Sequence, residues 1–334
     1  MSDLLGLYGA NARYFEQPIR AAFSATHDIV YFRTLEELRR RRDDLTVLVS
    51  KSWPTSLGTP RRLGLLQCTG AGLDDIDQSV LPPRCLIGVS PGHEIPMAEF
   101  IIYAMLRLVI GGRRLEEDFR GGSKQGGAYG GPDFHGELYG RTVLFLGYGG
   151  IARETAARGA ALGMHVGAVS RSDRGGGPLA WSVGWDELDK ALARSDFVVV
   201  TCPLTAETKG RIGAMQLAAM KPTAFLVNVS RAAVIIEDAL YEALSQRRIA
   251  GAALDVWYRD PDPADEGWTP ATRDFLGLDN VLATAHASAW SDNLRGRRSA
   301  NAVENVRAFL AGRPLPHTTS SSSQALRPPP FHPA

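Results

Sequence analysis

The chain has 334 residues, of which 44% are hydrophobic, and its formal net charge is +1. This length suits two domains with apolar cores of their own, and the near-neutral charge gives no indication of a nucleic-acid partner. We see no secretory signal and no apolar run long enough to span a membrane, and the three cysteines lack the spacing of zinc sites or disulfide frameworks. We therefore expect a cytoplasmic protein without a metal site or a membrane partner.

Strand-like and helical segments alternate over the first third of the chain. Strands are predicted at 4–8, 27–32, 45–50, 64–68 and 85–89, and helices at 15–23 and 34–41. This alternation is typical of a parallel sheet covered by helices. A long helix is predicted from Pro96 or Met97, and the glycine-rich stretch 121–140 is predicted to be an irregular arm.

A strand, a glycine turn, a helix and a second strand follow from residue 142 to residue 172. In the turn, Gly147 permits a sharp bend, Gly149 lets the backbone approach a pyrophosphate, and Ala152 stands at the packing position. A helix that begins here directs its free N–H groups at phosphates. We interpret the turn as a dinucleotide site; the alternative is a tight turn without a ligand. The predicted cofactor-binding residues are Gly147, Tyr148, Gly149, Gly150 and Ile151.

The α/β alternation continues to the end of the second half. Strands are predicted at 196–200, 224–228, 249–256 and 281–284, and helices at 185–192, 208–220, 238–246 and 294–310. The stretch 318–334, rich in serine and proline, is predicted to be a flexible tail.

One arginine, one carboxylate and one histidine follow three successive predicted strands: Arg231, Asp260 and His286. Ligands of open parallel sheets bind beyond the carboxyl ends of the strands. An arginine can bind a substrate carboxylate with two hydrogen bonds, a histidine can exchange a proton with an alkoxide, and a carboxylate can orient the histidine. The trio therefore suits hydride chemistry on a 2-oxo acid. Alternatively, Arg231 caps a carboxylate, His286 is an interior histidine, and Asp260 is a solvated loop charge.

The chain resembles the D-isomer-specific 2-hydroxyacid dehydrogenase family from Leu63 to Pro316. The motifs, in the family's order, are QCTGAGLD at 67–74, MAE at 97–99, ELYGRTV at 137–143, PLTAET at 203–208, MKP at 220–222, NVSR at 228–231, LDVW at 254–257 and TAH at 284–286. The resemblance implies two Rossmann- or flavodoxin-like α/β domains with parallel sheets, the nucleotide domain being inserted into a discontinuous substrate domain. We expect the substrate domain at 1–95 and 290–317 and the nucleotide domain at 96–289. The resemblance also implies a homodimer.

The resemblance assigns roles to individual residues. It implies that Arg231 binds the substrate, that His286 is the acid or base, and that Asp260 stands where most members have glutamate. The remaining candidates are Ala71, Gly72, His93 and Ser288 for the substrate, and Pro203, Val229 and Asp255 for the cofactor.

Departures from the family pattern leave two questions open. Asp260 is one carbon shorter than glutamate, so its carboxylate role depends on the path of its loop. Formate dehydrogenases share the run Asp255-Val256-Trp257, but they carry asparagine at the position of His93. We therefore favour the reduction of small 2-oxo acids, of the glyoxylate or hydroxypyruvate type, over formate oxidation. A nucleotide-sensing protein that resembles the corepressors of this fold is a second alternative.

The cofactor preference depends on the end of the second strand of the nucleotide domain. An acidic residue there accepts hydrogen bonds from the ribose of NAD, but this chain has Ser170 followed by Arg171 and, soon after, Arg174. We therefore predict that NADP is preferred, while Asp173 leaves NAD possible. Ser170 and Arg171 complete the predicted cofactor site.

Overall fold

The computed structural model describes residues 4–122, 134–171, 177–261 and 265–318. These residues form two compact units: one runs up to Gly92 and resumes at Ser291, and the other runs from His93 to Trp290. The boundaries predicted from the sequence lie three residues later and one residue earlier, respectively. The chain therefore leaves its first unit once and returns to it for its last helix.

The first unit is built on a five-stranded parallel sheet with the strand order β2-β1-β3-β4-β5. Its strands are β1 (Leu4–Tyr8), β2 (Asp28–Phe32), β3 (Leu45–Ser50), β4 (Leu65–Cys68) and β5 (Leu86–Gly88), and its first helices are α1 (Arg13–Phe23) and α2 (Leu35–Arg41). Thr34 begins α2 by accepting a hydrogen bond from the backbone of Glu37, whose side chain bonds back to Thr34. Every residue of the central strand β3 is buried.

The second unit contains a seven-stranded parallel sheet with the strand order β12-β11-β10-β9-β6-β7-β8. This order is that of a doubly wound nucleotide-binding fold with one additional strand. The strands are β6 (Thr142–Leu146), β7 (His165–Val169), β8 (Leu179–Val183), β9 (Phe197–Val200), β10 (Phe225–Asn228), β11 (Gly251–Leu254) and β12 (Val281–Ala283). The helices are α3 (Glu94–Ile110), α4 (Gly112–Arg120), α5 (Gly150–Ala161), α6 (Leu188–Ala193), α7 (Ala214–Ala219) and α8 (Glu237–Ser245).

The core of this second unit lies on both faces of its sheet. Leu144 and Leu146 of β6 point into the cluster under α6, α7 and α8, whereas Val143 and Phe145 point into the cluster under α3 and α5. This alternation follows from the two-residue period of a strand. Strand β6 is thus packed on both of its faces, which fixes the position of the turn that follows it.

The helix predicted at 208–220 is mostly wrong, because only Ala214–Ala219 is α-helical. Gly210 has a φ of +62°, outside the helical region. Thr208 donates its hydroxyl to the carbonyl of Pro203, and Ile212 forms a bridge with Ile235. These interactions hold 204–213 as a loop beyond β9, with hydrogen-bonded turns at 206–210 in place of a helix.

The chain closes on the first unit with α9 (Leu294–Leu310). The buried side chain of Asn305 donates to Gln67 Oε1 at 2.8 Å and to the carbonyl of His317 at 2.8 Å, and it accepts from the His317 backbone at 3.0 Å. Thr318 then pairs with Gly88 beside β5. The rest of the predicted tail, and residues 123–133 of the predicted arm, lie outside the described residues.

A search of the described residues for membrane spans finds no single helix of sufficient length and apolarity. By length and composition alone, the pair α3 and α4, bent by 57° at their junction, passes the test together.

Candidate cofactor and active site

The turn between β6 and α5 has the shape that a pyrophosphate requires. Gly147 has a φ of +91°, and a Cβ on it would lie 2.8 Å from Cys202 Cα. A Cβ on Gly149, in contrast, would meet no described atom within 4 Å. The backbone is therefore open on the side of Gly149 and closed on the side of Gly147.

The start of α5 leaves its backbone N–H groups available. Gly149 is the N-cap and provides no side chain, and the first turn of this 12-residue helix contains no acidic residue. Free N–H groups and the positive end of the helix dipole favour an anion. Thr201, at the end of β9, donates its hydroxyl to Gly147 O at 2.7 Å and so fixes the turn to the neighbouring strand. These features fit the pyrophosphate of a dinucleotide.

Two predicted cofactor residues of the turn face the interior. The ring of Tyr148 is buried and tilted against Phe145, with a centroid separation of 6.4 Å, and the guanidinium carbon of Arg153 lies 5.5 Å from the centre of the Tyr148 ring. Ile151 packs against the same cluster. The buried ring of Tyr148 is thus withdrawn from a ligand at the turn, whereas Ile151 is only partly buried.

Three neighbouring strands of this sheet bring two predicted catalytic residues, Arg231 and His286, and the predicted cofactor residue Asp255 to the same end of the sheet. Strands β10, β11 and β12 are adjacent, with Asn228, Leu254 and Ala283 in register. Arg231 follows the first of these strands by three residues, Asp255 follows the second directly, and His286 follows the third by three residues. Since neighbouring strands lie about 4.8 Å apart, all three residues belong to one end of one sheet.

Known proteins with the same features identify the family. Residues 102–288 match the sequence profile of the D-isomer specific 2-hydroxyacid dehydrogenase, NAD binding domain. The chain belongs to the D-isomer specific 2-hydroxyacid dehydrogenase family. Relatives include a glyoxylate reductase of Korarchaeum cryptofilum, 37% identical over 58% of this chain and 57% of its own length. A glyoxylate/hydroxypyruvate reductase B of Pectobacterium carotovorum is 35% identical over 65% of this chain and 67% of its own length.

Solved structures extend the similarity to almost the whole chain. A 2-hydroxyacid dehydrogenase family protein of Aeromonas salmonicida is 26% identical with a TM-score of 0.78, covering 96% of this chain and 99% of its own. A family member from Xanthobacter autotrophicus, solved with NADPH and MES, is 25% identical with a TM-score of 0.77, covering 96% and 98%. The predicted fold class, two α/β domains with parallel sheets, is confirmed.

Hydrogen bonds to neighbouring residues hold the backbone and the side chain of Arg231, the predicted substrate-binding residue. Arg231 donates from Nη1 to Ser230 O at 2.8 Å, and its own carbonyl accepts from Asn228 Nδ2 at 3.1 Å. Ser230 in turn donates its hydroxyl to Cys202 O. Val229 is buried below. A hydrogen bond therefore connects the loop after β10 to the loop after β9. The backbone that carries the half-buried side chain of Arg231 is held in one conformation by these contacts.

His286, the predicted acid or base, lies on a loop that hydrogen bonds to Asp255. His286 is exposed and has a φ of +53°, and its backbone N–H donates to Asp255 O at 2.8 Å. The carboxylate of Asp255 is fully buried and accepts from Thr284 Oγ1, from Ala287 N and from Ser288 N. The hydroxyl of Ser288 is buried without a hydrogen-bond partner among the described residues. This orphaned hydroxyl suits a polar group of a ligand.

Asp260 does not pair with His286 in the described part of the chain. It is exposed, and its backbone carbonyl accepts from Trp268 Nε1 at 2.8 Å, while the adjacent Arg259 lies 3.4 Å from the carboxylate of Asp265. The loop is thus held by its own contacts. The predicted catalytic role of Asp260 has no support from this arrangement.

The remaining predicted residues lie in three places. His93 precedes α3 with Nδ1 at 3.7 Å from Glu94 Oε1, and Glu94 Cγ would lie 2.9 Å from a Cβ on Gly150. Ala71 and Gly72 follow β4 in the other unit. Pro203 is exposed directly beyond β9 and Cys202.

The predicted ribose end of the cofactor site has no acid at position 170. The backbone N–H of Ser170 donates to Val183 O at 3.1 Å. Arg171 Nη1 lies 3.9 Å from Glu207 Oε2, with both side chains well exposed. Asp173 and Arg174 lie outside the described residues. Arg171 is thus a cation at the end of β7 whose one described partner is a weakly held surface carboxylate.

The sequence alone did not indicate that Thr284 and Trp257 help to hold the loop of His286. The indole of Trp257 donates to Thr284 O at 2.8 Å, and the Thr284 hydroxyl lies 2.6 Å from Asp255 Oδ1. A carboxylate directly after an apolar strand was the available signal, since such a group needs donors when it is buried. The residues near Asp255 in the sequence do not indicate which groups provide those donors.

Proposed function

We propose that this protein is an NAD(P)-dependent oxidoreductase that reduces small 2-oxo acids of the glyoxylate or hydroxypyruvate type to the corresponding D-2-hydroxy acids. The main support is that Arg231 and His286 follow strands of one sheet whose glycine turn fits a pyrophosphate. The names of the relatives agree with this class of substrate. Because the matched part spans 57% of the first relative, the activity of the whole protein is a proposal.

Arg231 and His286 have complementary roles in this proposal. The guanidinium of Arg231 binds the substrate carboxylate and orients the adjacent carbonyl. A reduced nicotinamide cofactor, when bound, would supply the hydride that the carbonyl carbon accepts. A ring N–H of His286 gives its proton to the carbonyl oxygen, so that the product is the hydroxy acid. In the reverse direction the neutral ring takes the hydroxyl proton.

The chain's own residues would hold the cofactor along the carboxyl ends of the strands. The backbone from Gly147 to Ile151 would bind the pyrophosphate, Pro203 would lie near the adenosine, and Val229 would lie near the nicotinamide. At the ribose, Arg171 could pair with a 2′-phosphate, and Ser170 offers no negative charge to repel one. We therefore propose NADP over NAD. A preference for NADH of about tenfold or more in kcat/KM would contradict this proposal.

We further propose a cytoplasmic homodimer. The surface of α4 and the segment beyond it expose Leu115, Phe119, Phe134 and Tyr139. Large apolar side chains that are exposed in one chain are typical of surfaces that bind a partner. Light scattering on a size-exclusion column tests this: the mass of one chain at micromolar concentration would contradict it.

A substrate panel tests the function directly. Purified protein is offered 2-oxo acids with NADPH and with NADH, and separately formate with each oxidised cofactor, while the nicotinamide absorbance is followed. Turnover of a 2-oxo acid supports the proposal, and turnover of formate alone supports the first alternative. Tight cofactor binding without any turnover supports the sensor. Asp260→Asn with an unchanged pH profile would exclude a role for that carboxylate.

A further inference from the structure

The loop that carries His286 is fastened to the segment 255–257 by five hydrogen bonds. Four of them reach Asp255: His286 N to its carbonyl at 2.8 Å, Thr284 Oγ1 and Ala287 N to Oδ1 at 2.6 and 2.7 Å, and Ser288 N to Oδ2 at 3.0 Å. The fifth runs from Trp257 Nε1 to Thr284 O at 2.8 Å. We call these contacts the loop clamp. Its donors flank His286 on both sides.

The clamp holds a backbone conformation that a free loop would leave. His286 has a φ of +53°, in the left-handed region that few residues with side chains adopt. Such a conformation persists only where the surroundings over-determine it. Here the N–H groups of residues 286, 287 and 288 all point at one aspartate. Loss of the clamp would let the backbone at 286 rotate, and the imidazole would turn with it.

The carboxylate of Asp255 is mostly committed to this loop. An ionised carboxylate offers about four acceptor positions, and three of them are taken by groups of the loop. The side chain is fully buried, so its charge depends on these donors. At most one acceptor position on Oδ2 remains for any ligand. The hydroxyl of Thr284, in contrast, serves the clamp alone among the described residues.

We propose that Asp255 and Thr284 are positioning residues that act through the backbone of residues 286–288 to hold the imidazole of His286 in its working direction. Neither residue needs to touch the substrate for this role. The inference rests on the proposed acid–base role of His286. This positioning role differs from the contact with the nicotinamide that the family resemblance implies for Asp255. It predicts that the hydroxyl of Thr284 affects turnover as well.

Thr284 offers a cleaner test than Asp255. Thr284→Val removes the hydroxyl and keeps the shape, whereas Thr284→Ser keeps the hydroxyl and removes a methyl group. Asp255→Asn would instead set an NH₂ group against the N–H of Ser288 and would also disturb any contact with the cofactor. Ser195→Ala is the matched control. It deletes another buried hydroxyl of the same unit, one that donates to Ala191 O just before β9, at the opposite end of the sheet.

The experiment measures kcat, both KM values, the cofactor Kd and the pH profile of kcat. For Thr284→Val we expect kcat to fall by roughly tenfold or more, because small misplacements of a reacting group are costly. The cofactor Kd should stay within about twofold of wild type, since the hydroxyl faces Asp255. Thr284→Ser should regain most of kcat, and Ser195→Ala should match wild type. Amide exchange at 284–290 should quicken in Thr284→Val and not in the control.

Two outcomes separate the inference from the function it rests on. If Thr284→Val keeps wild-type kcat and pH profile while His286→Asn has lost turnover, the positioning role is wrong and the proposed function stands. If His286→Asn itself turns over at the wild-type rate, the acid–base role is wrong and the positioning role falls with it. A loss in Thr284→Val that Thr284→Ser does not restore would also overturn the proposal, since the hydroxyl would not be the cause.

Discussion

Gly147 and Cys202 lie so close that a Cβ on the glycine would come within 2.8 Å of Cys202 Cα. Strands β6 and β9 are neighbours in the sheet, and their following segments separate at this point to opposite sides. Doubly wound folds bind their ligands at such a switch point. The close approach therefore limits the shapes that the turn can adopt at this switch point.

Two glycine substitutions should separate folding from cofactor binding. Gly147→Ala places a Cβ against backbone atoms at a φ of +91°, so we expect a loss of about 2 kcal/mol or more in stability. The Cβ of Gly149→Ala meets no atom of the described residues within 4 Å, so we expect the wild-type melting temperature but weaker cofactor binding, by about tenfold or more. Calorimetry and cofactor titration measure the two effects. Equal behaviour of the two variants would contradict the assignment.

We expect a substitution of Arg231 to affect the use of the 2-oxo acid more than the binding of the cofactor. Arg231→Lys keeps the charge but loses the two-pronged geometry, so we expect kcat/KM for the 2-oxo acid to fall by about tenfold to a hundredfold. Cofactor Kd should stay near wild type. Steady-state kinetics and a cofactor titration decide this. Unchanged kcat/KM would remove Arg231 from the substrate site.

Arg171 and Glu207 should tune cofactor choice in opposite directions. The two side chains lie 3.9 Å apart in an exposed position. Arg171→Ala should raise the KM for NADPH by about tenfold and leave the KM for NADH almost unchanged. Only NADPH carries a 2′-phosphate with which the guanidinium could pair. Glu207→Gln should lower the KM for NADPH by a few-fold, since it removes the negative charge beside the guanidinium of Arg171. KM values for both cofactors measure this. Parallel changes for NADPH and NADH would argue against a phosphate at Arg171.

The cysteines should be unreactive in the native protein. Burial raises the pKa of Cys68 and of Cys85 to about 12, and that of Cys202 to about 11, from an ordinary value of 9.0. A raised pKa keeps a thiol protonated, so at pH 8 very little of the reactive thiolate forms at these cysteines. We expect almost no labelling by a thiol reagent at pH 8 in the native state and labelling of all three cysteines after unfolding. Rapid labelling of native protein would contradict this.

The parts of the fold that depend on local patterns could be predicted from the sequence. The helix Leu294–Leu310 and the strand Leu45–Ser50 match their predicted bounds, because apolar spacing defines each within its own segment. Strand β8 (Leu179–Val183) was not predicted, because it is only half-buried at a sheet edge and its apolar and polar residues alternate weakly. The loop clamp could not be predicted either. It joins Asp255 to residues about thirty positions away, and no periodicity reports such a contact.

The most direct test of the account is the turnover of 2-oxo acids by wild type and by His286→Asn. Asparagine tolerates a positive φ, so this variant removes the proton-transfer group without disturbing the loop. We expect wild type to reduce a small 2-oxo acid with NADPH, and kcat of the variant to be lower by about 10²–10⁴ with its cofactor Kd unchanged. Equal kcat in the two proteins, or no turnover by wild type that binds its cofactor, would contradict the account.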